Sequence, residues 1–242
     1  RDAGITLAVQ TQDGITEMTM ADYLPAALAG EMPASFQPEA LKAQTVAARS
    51  YALYCAAMHK HGEAQVCTDP ACCQAWCSVE QLREKWGDRY EEYLAKLWAA
   101  ADATEGQYLA YDGEAVFAAF HSSSAGCTED CGAIWEDTPY LRSVSSPEAA
   151  ADVPGSLSTV CCAAIDFRDP VLSAYPAADF TGDESAWVTA VENDAAGRVA
   201  GAVLGGVFVM MQRIDLGTLT PGQRAQARIS GDGGMSGNIY IA

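Results

Sequence analysis

Cations are scarce in this chain. It has 14 Lys and Arg against 32 Asp and Glu over 242 residues, a net charge of −18, and only three histidines. A nucleic-acid backbone would be repelled without a local basic patch, and no basic run exists, so nucleic acid is excluded as a partner. An anionic membrane surface is disfavoured on the same ground. A neutral or amphipathic substrate such as a glycan remains compatible. No apolar run reaches the roughly 18–20 residues that span a bilayer. The Gly-x-Ser-x-Gly turn of a hydrolase nucleophile and the Cys-x-x-Cys of a redox module are also missing. His121 and Ser122–Ser124 therefore carry little weight as a nucleophilic pair.

What is present is half hydrophobic, enough to bury one substantial core or a core plus a smaller lobe. The chain starts at Arg1 with no Met or signal peptide, so we expect a processed ectodomain whose targeting segment lies upstream. Nine cysteines are many for this length and odd in number. Cys67, Cys72, Cys73 and Cys77 crowd into eleven residues. Cys127 with Cys131 is expected to make a disulfide or to lack a role, and the adjacent Cys161 and Cys162 cannot easily pair with each other.

Residues 5–10 alternate as a half-buried strand would. A short helix should run from Thr19 to about Gly30. Pro38 suits the first turn of a second helix, extending to about Lys60 with seven alanines between Ala40 and Ala57. Ser78-Val79-Glu80-Gln81 is a capping box; Gly87-Asp88 breaks that helix, and Asp88 can cap another reaching about Thr104. Residues 107–111 and 115–120 flank Asp112-Gly113-Glu114 as a hairpin, which would project the His121–Cys131 loop from a strand end. Only short strand-like pieces are expected over 145–185. Two or three strands should follow Ala186, with a turn at Asn193-Asp194. The fold class is α+β, with a core over about 1–150 and 186–242 and a variable lobe over 151–185.

The helix beginning at Pro38 is apolar on most faces yet carries Lys42, Gln44 and Arg49. Such a helix is buried, and a buried cation needs an anion beside it. Glu31 and Glu39 are the nearest in sequence. Lys42 and Arg49 lie seven residues apart and so share a face; they pair with acids or hold substrate oxygens. A Glu in a first helical turn, as Glu39 would be, is explained by the helix dipole. Glu31 precedes Met32-Pro33, which forces an extended or turning chain around it, and has no helical explanation. It is the better acid/base candidate.

Several motifs in order carry a resemblance: Tyr23-Leu24, Gly30-Glu31-Met32-Pro33, Glu39 to Gln44, Ala47-Ala48-Arg49, His121 to Gly126 with Thr128-Glu129, Trp135, and Pro139 to Val144. Over about residues 15–150 the chain resembles the stage II sporulation protein D family and its amidase-enhancer relatives. Its His61–Trp76 insert resembles clostridial-type members. The resemblance implies a lytic transglycosylase that cleaves the MurNAc–GlcNAc β-1,4 bond of peptide-stripped peptidoglycan during engulfment, leaving a 1,6-anhydro-MurNAc end. It also implies an extracytoplasmic, membrane-tethered protein that works with a cell-wall amidase (stage II sporulation protein P type) and a membrane-protein partner. Glu31 would be catalytic. Lys42, Gln44, Arg49, His121, Ser122, Ser124 and Tyr140 would support or contact substrate. The tail departs from the pattern: Ser230 to Ser236 lacks the family's His.

His61-x5-Cys67-x5-Cys73 is the best metal candidate, since imidazole and thiolate together suit zinc. Some clostridial-type relatives hold zinc through one His and two Cys at this spacing. Cys72, Cys77 and His59 compete as ligands, and a disulfide knot is the alternative.

Overall fold

A computed structural model describes residues 1–124, 126–133, 136–148, 153, 161–193 and 199–210. The chain forms two compact units, Arg1–Phe120 and His121–Ala242. That division falls inside the stretch read from sequence as a core over 1–150 and 186–242. The α+β class holds: helices stand beside several small, mainly antiparallel sheets.

In the first unit β1 (Thr6–Thr11) and β2 (Gly14–Thr19) pair as an antiparallel hairpin. The short β3 (Val66–Cys67) lies parallel to β1. Thr19 closes β2 and caps α1 (Met20–Glu31), its hydroxyl oxygen accepting from the Asp22 amide; this satisfies a donor that a helix start otherwise leaves open. α2 (Pro38–Met58) opens with proline in its first turn and stops at left-handed His59. α3 (Val79–Trp86) has both bonds of the Ser78/Gln81 capping box. α4 (Tyr90–Ala103) follows a 3-10 turn over Gly87–Arg89. Asp88 lies within that turn, so it does not cap α4.

Two apolar clusters hold this unit. Leu7, Val9, Met20, Tyr23, Leu24, Ala48, Ala52 and Val66 join the sheet to α1 and α2. Leu28, Leu41, Leu82, Tyr90 and Leu97 join α1 and α2 to α3 and α4. Alanines along α2 keep its neighbours close; Ala48 and Ala52 are wholly buried. The expected hairpin is shorter than its pattern suggested, pairing only β4 (Ala110–Tyr111) with β5 (Glu114–Ala115). The His121 loop consequently does not leave from a strand end.

In the second unit β6 (Gly126–Cys127) pairs with β7 (Ser145–Ser146). An unexpected helix, α5 (Ala164–Ala174), carries Pro170. The three-stranded meander after Ala186 is present as β8 (Val188–Asn193), β9 (Val199–Leu204) and β10 (Val207–Met210). Phe167 on α5 packs with Phe180 and Trp187, with ring centroids 6.1 and 6.4 Å away. That aromatic anchoring accounts for a helix the local Ala/Pro/Asp composition disfavours. Asp194, Trp135 and the Ser230–Ser236 segment lie outside the described residues.

Candidate active site

Glu31 is the last residue of α1, one residue past the expected helix end at Gly30. The extended backbone begins one residue later, at Met32 (φ −136°, ψ 139°). The helix end thus delivers the carboxyl to a cleft of about 280 Å³ lined by Gly30–Ser35, Lys85, Trp86 and Tyr93. Glu31 is half-buried, and one carboxylate oxygen accepts the Ala75 amide at 2.5 Å. Burial pushes its pKa up, partly opposed by the Ala75 donor. The sign is that of a group kept available as an acid.

Gly30 makes this arrangement possible. A β-carbon there would lie 2.7 Å from the Ala75 carbonyl carbon, so only glycine lets the 72–77 loop close onto the end of α1. The Cys77 amide donates to the Ala26 carbonyl and continues the same seam. On the other side the Lys85 ammonium donates to the Ala29 carbonyl at 3.1 Å, and Lys96 donates to the Phe36 carbonyl. Those lysines clamp both ends of the 30–36 loop. Trp86 meets Tyr93 edge-on at 5.5 Å, giving the cleft an aromatic wall. The wall joins the last residue of α3 to the first turn of α4, so no single helical pattern in the sequence marks it.

The other sequence candidates separate. Lys42 pairs with Glu39 at 2.7 Å on the surface. Gln44 is buried, and its Nε2 meets no acceptor among the described residues. Arg49 is 0% exposed. Its Nε and Nη2 grip the Asp2 carboxylate at 3.0 and 2.7 Å, while Nη1 donates to the Gln107 carbonyl at 2.8 Å. The expectation that Arg49 reaches substrate is corrected: its donors are consumed inside the fold, and its partner is Asp2 rather than Glu31 or Glu39. It fastens the N-terminal turn and the chain after α4 to α2.

In the second unit His121 and Ser122 are exposed and Tyr140 is half-buried. Ser124 is buried. Its amide donates to Glu148 at 2.7 Å, and its hydroxyl lies 3.1 Å from both Glu148 and the Ser146 carbonyl. It organises its own loop, where its amide and hydroxyl are taken up by Glu148 and the Ser146 carbonyl rather than offered to substrate. Hydrogen bonds from Ser123 and then Ser124 lower the Glu148 pKa. Of the two alternatives for Cys127 and Cys131 the disulfide is not formed; both remain thiols. The Cys127 sulfur lies 3.0 Å from the Ser143 hydroxyl, and the Cys131 sulfur accepts the Thr138 amide at 3.0 Å.

His61, Cys67 and Cys73 converge, joined by Cys72; the four donor atoms lie within 4.8 Å of one another. His61 Nε2 is 3.0 Å from Cys73 Sγ. A Cys55 hydrogen bond, opposed by burial and assisted by His61 and Lys60, lowers the Cys73 pKa to about 3. Burial raises that of Cys67 to about 12. Imidazole with soft sulfur donors in this compass fits zinc. His59 caps α2 and Cys77 packs beside the α3–α4 cluster, so neither joins the group.

The family model for stage II sporulation proteins matches residues 9–111, which include Glu31, the 30–36 loop and the cysteine cluster. Stage II sporulation protein D of Bacillus subtilis (strain 168) is 36% identical over 137 residues, 55% of this chain and 40% of that protein. Its namesake from Bacillus amyloliquefaciens is 34% identical over the same shares. The Amidase enhancer of Bacillus subtilis (strain 168) is 30% identical over 174 residues, 72% of this chain and 21% of that protein. The chain thus spans less than half the length of each relative. Ordered motifs, the α+β fold and these matches agree: residues 9–111 carry the domain of the stage II sporulation protein family.

Proposed function

We propose that this chain is a lytic transglycosylase of peptide-stripped peptidoglycan strands, with Glu31 as its single acid/base. The observation that carries the reading is the half-buried Glu31 carboxyl, its pKa raised, on the wall of a cleft beside Trp86 and Tyr93. Ordinary glycosidases need two carboxyls because one must handle water or attack the sugar. A lytic transglycosylase needs one. Glu31 gives its proton to the glycosidic oxygen as the bond from MurNAc C1 breaks. Its carboxylate then takes the proton of the MurNAc 6-hydroxyl while O6 closes on C1. The acid is regenerated, a 1,6-anhydro end forms, and no water is consumed. Flat aromatic faces suit sugar rings.

His61, Cys67 and Cys73 would hold zinc, which supplies a cross-link for the 66–77 loop when bound. Lys42, Gln44, His121, Ser122 and Tyr140 are carried as supporting residues by the family resemblance alone. Cell-wall remodelling in sporulation, an extracytoplasmic and membrane-tethered location, and work beside a cell-wall amidase and a membrane partner belong to the same reading. Among the described residues no helix is long and apolar enough to cross a membrane.

The similarity to a protein named Amidase enhancer favours one rival, a scaffold that holds glycan while a partner amidase cuts. Peptide-free glycan strands incubated with the protein and with Glu31→Gln, read by mass spectrometry, separate the two. The enzyme makes anhydro ends, and the variant loses on the order of 10²–10⁴-fold in rate while still binding. Glycan bound but left intact by both proteins would move the function to amidase stimulation.

A further inference from the structure

The His61-x5-Cys67-x5-Cys73 spacing supplies three ligands and leaves a tetrahedral ion one position open. Cys72 Sγ lies 3.8 Å from His61 Nε2 and within 4.8 Å of every other donor in the cluster. Ligands of a tetrahedral zinc, at about 2.0 Å for nitrogen and 2.3 Å for sulfur, stand roughly 3.5–3.8 Å apart. The Cys72 sulfur therefore already sits at the distance of a ligand.

Adjacent residues in a strand point to opposite faces and could not share an ion. Here the Cys72 and Cys73 amides both donate to the Asp69 carbonyl, at 3.0 and 2.9 Å, and the Ala71 amide donates to the Asp69 side chain at 2.8 Å. The backbone is curled into a tight turn, and both sulfurs face His61. Charge is accommodated as well. Three thiolates leave a zinc ion with one excess negative charge, and the Lys60 ammonium sits 3.8 Å from Cys73 Sγ while bonding the Cys72 carbonyl at 2.5 Å.

We propose that Cys72 is a fourth protein ligand, so that His61, Cys67, Cys72 and Cys73 enclose zinc completely and the ion acts as a structural clasp. This rests on the zinc reading above and extends it in ligand number and role. Closed four-ligand sites are structural, whereas catalytic ones keep a position for water or substrate. The clasp gathers the turn that leads directly into Ala75, whose amide holds the Glu31 carboxyl. The metal thus positions the acid through the loop and takes no part in bond cleavage.

The test is ligand counting on the reduced, purified chain. X-ray absorption of the zinc-loaded protein should report three sulfurs and one nitrogen. With cobalt(II) in place of zinc, the thiolate charge-transfer band should fall by about a third in Cys72→Ser as one of three thiolates is lost. Zinc affinity should fall at least about tenfold, the lower range for outer-shell changes alone. Two sulfurs in the wild type, with a cobalt spectrum unmoved by Cys72→Ser, would overturn the fourth ligand and leave the zinc reading standing. A wild-type protein that takes up neither metal would overturn both.

Discussion

Glu31 and Arg49 are charged residues on neighbouring helices of one unit, and the fold treats them in opposite ways. Arg49 is sealed, with Asp2 and two backbone carbonyls meeting its guanidinium. Glu31 keeps one side on a cleft, and its carboxylate accepts from the Ala75 amide. A buried charge is tolerated when fully paired; a partly paired one is left with a perturbed pKa and an open face, which chemistry can use. The comparison teaches that residues close in sequence and alike in surprise need not share a site.

The sharpest way to break it is Arg49→Ala. Removing one partner strands Asp2 in the interior, and the expected cost is about 3–5 kcal/mol, read as a lower urea midpoint with unchanged slope. A loss below about 1 kcal/mol would mean that the pair is not the anchor described. Next comes Gly30→Ala. Its β-carbon cannot coexist with Ala75 at 2.7 Å, so the loop must withdraw, at a cost of about 1–3 kcal/mol. Glycan cleavage should fall further than stability does, because Glu31 loses its donor. Equal stability and activity to wild type would show that the close approach is dispensable.

The pH dependence sharpens the Glu31 side. A folded pKa above the ordinary 4.5 means that ionisation opposes folding. Relative to Glu31→Gln, wild-type stability should be constant below that value and decline as pH rises through the folded pKa. Denaturant melts across that window, wild type beside variant, measure it; a wild type that gains relative stability with pH would reverse the assignment. The smallest effect is expected at Lys42→Ala. Its pair with exposed Glu39 is worth well under about 1 kcal/mol, and a thermal melt should barely move. A large loss of glycan binding there would restore Lys42 to the site.

Local patterns were legible. The Ser78 capping box, Pro38 at a helix start and the strands of the first hairpin follow from short-range sterics and hydrogen bonding, and the structure has them. The helix α5 was not legible, because it depends on Phe180 and Trp187 packing on Phe167. The helix reaches one residue past Gly30 to include Glu31: a proline constrains the residue before it, Met32, and leaves Glu31 to continue the helix. Ser124, expected to support or contact substrate, instead donates to Glu148, 24 residues away, a partner no local pattern indicates.

The sequence by itself determined the α+β class, Glu31 as the acid candidate and the His61–Cys67–Cys73 spacing. All of these rest on composition or on neighbours a few residues apart. Only the tertiary structure decided that Asp2 claims Arg49, that Ala75 holds Glu31 and that Cys72 turns toward His61. Each depends on contacts across loops of 11 to 47 residues, where packing selects one partner among many that local chemistry would allow.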